Sequence, residues 1–291
     1  MEKSRTRWWD IPSAIFLFLM VIFSAWRLQT TNWAEGLGHV RNVAIFGLLI
    51  GLALGQSTFR KRSVILLSIG YMLVVFIWQW FGYIEFSKEE SYLGDRLLIL
   101  VSRLLTGISE FAAGRPVKDP IIFLALLFIP YWFTALFSGY QLTRHANALA
   151  ATLPSGILMF IIYLNHYTTH DYSWLFGAYL FVAILLVGRV KYIADRIKWR
   201  EQRVQISVES SMDFNNAIMV CAAVLILIVW TVPYTIPYNS DARKTWQKIS
   251  ASWFDKNEQI DNMFAAVKRT TFLLAIFTVM NLRWERARLA K

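Results

Sequence analysis

The chain has 291 residues, of which 56% are hydrophobic and 16% aromatic, and its mean hydropathy is +0.43. That balance lies far from the average soluble domain and excludes a soluble enzyme. The net charge of +11 invites nucleic acid, but the basic residues fall in gaps between apolar runs and no folded basic domain is present. The excess instead reads as membrane orientation and attraction to anionic head groups, with the lipid bilayer as partner and no nucleic acid.

The predicted elements follow in chain order. Met1–Asp10 is a charged head with Lys3, Arg5 and Arg7, and with Trp8 and Trp9 at the expected interface. A first span is predicted at residues 11–28, closed by Trp26 and by Arg27, whose guanidinium is expected to snorkel outward. The second, 40–58, carries Gly47, Gly51 and Gly55 at intervals of four, a stripe that permits close helix approach within the bundle or at a dimer face. After the basic turn at Arg60, Lys61 and Arg62, a third span covers 63–84 and ends in the aromatic belt Trp78–Tyr83. The break at 85–118 opens with Glu85, Glu89 and Glu90. Within it, residues 97–113 place apolar positions 97, 98, 100, 101, 104, 105, 108 and 111 largely on one helical face. An amphipathic helix on the membrane surface or over the bundle mouth is expected there.

The organising stretch is Gly114 to His145. It holds Arg115 and Pro116, then Asp119 to cap a first turn and Pro120 where a missing N–H costs nothing. An uncharged run follows, long enough to cross hydrocarbon, since about 20 residues at ~1.5 Å rise cover ~30 Å. Pro130 is expected to kink this fourth span, 119–139, with Gly139 and Thr143-Arg144-His145 marking the exit from lipid. A fifth span covers 148–164, kinked at Pro154 and Gly156, and a sixth covers 173–190. A basic connector with Lys191, Arg196, Lys198, Arg200 and Arg203 leads to a seventh, 216–234. The expected fold is therefore all-α: a polytopic membrane bundle over 1–237, then a short helical tail, 238–291. Residues 271–282 are apolar but too short for a comfortable crossing.

Lysine and arginine collect in the head and in the connectors after spans two, four and six, and are missing from those after spans one and five. The positive-inside rule then puts the N-terminus in the cytoplasm and the tail outside a cytoplasmic membrane.

Chemistry is sparse. Cys221, the only cysteine, lies inside an apolar run and can form neither an intramolecular disulfide nor a CxxC site. His166 and His170, with Asp171 beside them, have ligand-like spacing in a short loop, but no further ligand is assured, so the loop reads as solvated and no metal or cofactor is expected. Arg144, His145 and Asp119 could line a pore or meet head groups, but capping and interface anchoring account for them. No phosphate-cradling glycine loop or HExxH is present.

Six segments carry a family likeness: Ala25-Trp26-Arg27-Leu28, Gly51–Gly55, Gly114–Pro120, Ser138-Gly139-Tyr140-Gln141-Leu142-Thr143-Arg144-His145, Leu153-Pro154-Ser155-Gly156 and Ala178–Phe181. In their order over about residues 8–265 the chain resembles the N-terminal membrane region of bacterial membrane-anchored transglutaminase-like proteins, the TgpA type. The likeness marks Arg115, Pro116, Asp119, Pro120, Gly139, Tyr140, Thr143, Arg144 and Pro154 as motif positions of unassigned role. It also implies a Cys-His-Asp domain after the last span. Here no cysteine follows Cys221 and no histidine follows His170, so the thiol–imidazole pair such chemistry needs is expected to be absent from this chain. A truncated or split family member, anchoring or scaffolding a separate transglutaminase-like enzyme at the cell envelope, is the expectation. The alternative is a small transporter or channel. The near absence of charge inside the spans argues against ion coupling and leaves an apolar or lipid-like substrate.

Overall fold

The computed structural model describes residues 10–84, 92–113, 117, 119–165, 173–202 and 209–231. Among them the chain is all-helical: α1 (Ile11–Gln29), α2 (Leu37–Gln56), α3 (Lys61–Tyr83), α4 (Leu93–Ala112), α5 (Ile121–His145), α6 (Ala148–Asn165), α7 (Ser173–Glu201) and α8 (Glu209–Thr231). Five helices are long and apolar enough to cross a membrane: α1, α2, α3, α5 and Trp174–Arg196 of α7. They coincide with the predicted segments 11–28, 40–58, 63–84, 119–139 and 173–190. The other two predicted spans are also helical, with shorter described apolar stretches at Ala148–Tyr163 and Asn216–Leu227. Arg115, Pro116, the His166–Asp171 loop and the tail 238–291 lie outside the described residues.

Lipid tails are as apolar as leucine, so burial gives such helices little reason to associate, and close packing must do it instead. The glycine stripe shows how. α2 makes its most extensive contact with α5, and the two run parallel: Gly47 faces Trp132, Gly51 faces Leu136, and Gly55 faces Thr143. From the other side, a Cβ on Gly139 would lie 2.8 Å from the Leu48 carbonyl oxygen and the Leu52 nitrogen. Backbone therefore meets backbone, and the stripe is spent within the chain. Around this seam Leu17, Met20, Leu48, Phe128 and Trp132 fill the centre, all fully buried. Phe76 packs edge-on to Trp80, Phe128 and Trp132, with centroids 5.8, 5.3 and 6.1 Å away.

α1 lies antiparallel to α7, joined at both ends. At one end Asp10 caps α1 through the Ser13 backbone N–H (3.1 Å) and pairs with Arg189. At the other, Trp26 meets Trp174 edge-on at 5.7 Å. Two helices outrun the predicted spans. The helix of the fourth, 119–139, continues to His145, and Gly139 within it serves close approach. α7 continues past residue 190 to Glu201.

α4 is the outlier. It spans Leu93–Ala112, a few residues earlier than the predicted 97–113, and is amphipathic as expected. Only one edge of its apolar face is covered: Leu100 is buried and Gly107 sits against Ile122, whereas Leu98, Val101, Leu105 and Ile108 are exposed.

Candidate functional site

The motif positions gather at the two ends of α5. At its start, the Asp119 carboxylate accepts from the Ile121 N–H (3.1 Å) and from Arg103 Nε of α4 (2.6 Å). The N-cap is Pro120, one residue later than expected, and the Asp119 side chain, just before it, both satisfies the first N–H of α5 and anchors the peripheral helix. Pro120 already has helical backbone angles, φ −68° and ψ −6°, so its fixed φ suits the entry.

At the far end, the Thr143 hydroxyl donates back to the Gly139 carbonyl (2.9 Å), with the Leu52 carbonyl of α2 3.4 Å away. Arg144 Nη1 donates to the Ser57 carbonyl (2.6 Å), just past the last turn of α2. Carbonyls at a helix C-terminus lack intrahelical partners and carry partial negative charge, so a guanidinium there both satisfies and neutralises them. Tyr140 stacks edge-on to His145 at 5.9 Å. Asp119, Pro120, Gly139, Thr143 and Arg144 therefore cap, close and tie helices. Pro154 lies inside α6, one residue before Ser155.

A second constellation was not singled out from the sequence. The Tyr131 hydroxyl (α5) donates to the Ser24 carbonyl of α1 (3.1 Å), and the Ser24 hydroxyl donates to the Ser155 carbonyl of α6 (3.2 Å). The Ser155 hydroxyl lies 3.0 Å from the Tyr179 hydroxyl of α7, which donates to the Thr152 carbonyl (2.6 Å). All five residues are buried. Four helices are thus cross-braced by hydroxyls in an interior where an unmade hydrogen bond is costly. The links alternate with helix carbonyls, which accept but do not release a proton, so only Ser155–Tyr179 joins hydroxyl to hydroxyl. The geometry is that of a strut, not a proton relay. The signal available in the sequence was hydroxyl residues within otherwise apolar runs, and it did not say which would meet.

Arg27 corrects an expectation. The snorkelling arginine is 3% exposed, turned inward beside this network, with Nη1 donating to Thr30 Oγ1 at 2.9 Å. Its place at the end of the first run, next to Trp26, resembles an interfacial anchor, but the rotation of α1 points it into the bundle. Between α2 and α3, Gln79 Oε1 accepts from Asn42 Nδ2 (3.3 Å) and lies 2.9 Å from His39 Nδ1.

Two electrostatic features complete the picture. Asp10 is partly buried, which opposes its ionisation. Its hydrogen bonds from Arg189 (2.6 and 2.9 Å) and from Ser13 outweigh that, and its carboxyl is held below the ordinary 3.8. Among the described residues no group of three or more His, Cys, Asp or Glu is placed to hold a metal. Between α6, α7 and α8 lies an apolar cavity of about 750 Å³. No family model, curated protein or solved structure matches the chain.

Proposed function

We propose that this protein is a non-catalytic membrane module that anchors or scaffolds a separate envelope enzyme, of the transglutaminase-like type that its motif segments resemble. In this reading the chain crosses the cytoplasmic membrane seven times, with α6 and α8 as full spans and the N-terminus inside. The observation that carries it is the purpose to which the motif residues are put. Gly139, Thr143 and Arg144 lock α5 to α2, and Asp119 fixes α4 to α5. A frame built to hold its shape suits a platform better than a carrier, which needs two arrangements of its helices.

Orientation has internal support. The ends of α2 and α5 and the start of α1 with Arg189 are the ends flanked by Arg60, Lys61, Arg62, Arg144 and Lys191, the basic side in the positive-inside sense. In a Cys221→Ser background, Glu35→Cys should label from outside intact cells with a membrane-impermeant maleimide, and Ser63→Cys should not; the reverse pattern overturns the topology. For the scaffold role, the tagged full chain should retain a protein bearing a Cys-His-Asp transglutaminase-like domain when isolated from membranes. Recovery without such a protein, together with lipid flux in proteoliposomes holding this chain alone, would favour transport instead.

A further inference from the structure

We propose that the cleft between α6, α7 and α8 is a specific site for one acyl chain of an anionic bilayer phospholipid, whose phosphate is held by Lys191. The inference is independent of the scaffold reading. The cleft walls follow helical rows: Leu149, Leu153 and Ile157 on α6, then Leu180, Ile184 and Val187 on α7, with Ile218 and Cys221 of α8 on the third side. Its volume, about 750 Å³, is within the range of small-ligand sites, roughly 300–1,000 Å³. From Phe176 to Gly188, twelve residues at ~1.5 Å rise give a length of about 18 Å. The predicted span 173–190 is about 26 Å long by the same rise, so the slot runs along most of the crossing and passes the midplane of a hydrocarbon core about 30 Å thick.

The polar atoms nearest the cleft are turned away from it. Tyr179 and Thr152 both contribute to its wall, but the Tyr179 hydroxyl donates to the Thr152 carbonyl and lies beside Ser155. Their ring and methyl groups are left as lining. The Phe176 end is closed by aromatics, with Phe160 and Tyr163 packed on Phe176 at 6.4 and 5.8 Å. At the other end, Gly188 sits against Ile218, and the row 180–184–187 continues one turn on to Lys191.

Lys191 supplies the charge that chooses the occupant. Its side chain is 67% exposed and lies 3.2 Å from Asp195. An ammonium has three donors, so one can serve Asp195 while others meet a phosphate. The neighbouring Arg189 is engaged by Asp10 on the α1 side; among the described residues of α7, Lys191 continues the row that lines the cleft. An apolar slot that ends at a cation matches an amphiphile with an anionic head.

Native mass spectrometry of the full chain in detergent, titrated with phosphatidylglycerol or phosphatidylcholine of identical acyl chains, tests this. One basic residue at a head group contributes about 1 kcal/mol, or roughly fivefold in affinity. Phosphatidylglycerol should therefore be retained about fivefold better than phosphatidylcholine. Lys191→Gln should erase that preference, weakening phosphatidylglycerol more than phosphatidylcholine, whose own choline already offsets its phosphate. Ala183→Phe, which fills the slot, should weaken both lipids alike, with unaltered helix content by circular dichroism. Equal retention of the two lipids by the wild type, or a preference that survives Lys191→Gln, overturns the site. If Ala183→Phe disturbs folding, Lys191→Gln decides alone, because its side chain is exposed.

Discussion

The seam between α2 and α5 and the cleft between α6, α7 and α8 use the same residue type to opposite ends. In the seam, Gly51 and Gly139 sit opposite each other, so two backbones close until nothing fits between them. At the cleft, Gly156 faces the Tyr179 ring and Gly188 faces Ile218. Each glycine there admits a larger side chain of the next helix, and the helices are held apart along the rest of their length. Glycine spacing alone therefore does not determine closeness between membrane helices. What the opposite helix presents at the same level decides it.

Gly51→Val should break this contrast most severely. A Cβ at Gly51 would collide with the Leu136 backbone, which cannot rotate away, and overpacking costs about 1–3 kcal/mol even where side chains can yield. We expect a loss of about 3 kcal/mol or more, read as a lowered Tm in detergent and loss of the monodisperse peak. Gly70→Val, where nothing lies within 4 Å, should leave both unchanged. Equal behaviour of the two variants would remove the seam from the account.

Asp10→Ala comes next, because it deletes a helix cap and a bidentate ion pair together, at about 1–2 kcal/mol. Asp10→Asn keeps the cap and separates the two contributions. The carboxyl is held below its ordinary 3.8 in the folded chain, so its contribution is fully present above that value. It is lost as pH falls through the depressed one. Wild type should lose stability on acidification to about pH 3 more steeply than Asp10→Asn; parallel acid profiles would show that the pair contributes nothing.

Tyr179→Phe removes the hydroxyl that braces α7 to α6 (2.6 Å to the Thr152 carbonyl). It should cost about 1 kcal/mol, read by thermal unfolding, with phosphatidylcholine retention unchanged because the ring still lines the cleft. Lys191→Gln should be smallest, within about 0.5 kcal/mol of wild type, as an exposed helical pair is worth only a few tenths.

Much of the fold was legible from hydropathy. Long uncharged runs such as 121–137 state the helix and its length at once, and the period-four glycines of α2 announced a tight contact. Their partner was not legible, because Leu136 and Gly139 lie more than eighty residues away and no local pattern pairs them. One helix end and one side-chain direction were misread. The span 119–139 stopped short of the helix, which runs on to His145, and Arg27 resembles an anchor but faces inward, a matter of helix rotation that one chain's hydropathy leaves open. The bracing network escaped for the same reason: Ser24, Tyr131, Ser155 and Tyr179 are scattered over four helices, and only packing brings their hydroxyls together. For α4 the apolar face was evident, but the choice between the membrane surface and the bundle mouth was not.

The parallel pairing of α2 with α5 is the claim on which the rest depends, and paired cysteines in a Cys221→Ser background test it most directly. Thr58→Cys with His145→Cys, just beyond or at the matched ends of the two helices, should be joined by a short bis-maleimide in native membranes. Thr58→Cys with Pro120→Cys, at opposite ends, should not. Crosslinking of the second pair but not the first would show an antiparallel arrangement and contradict the account.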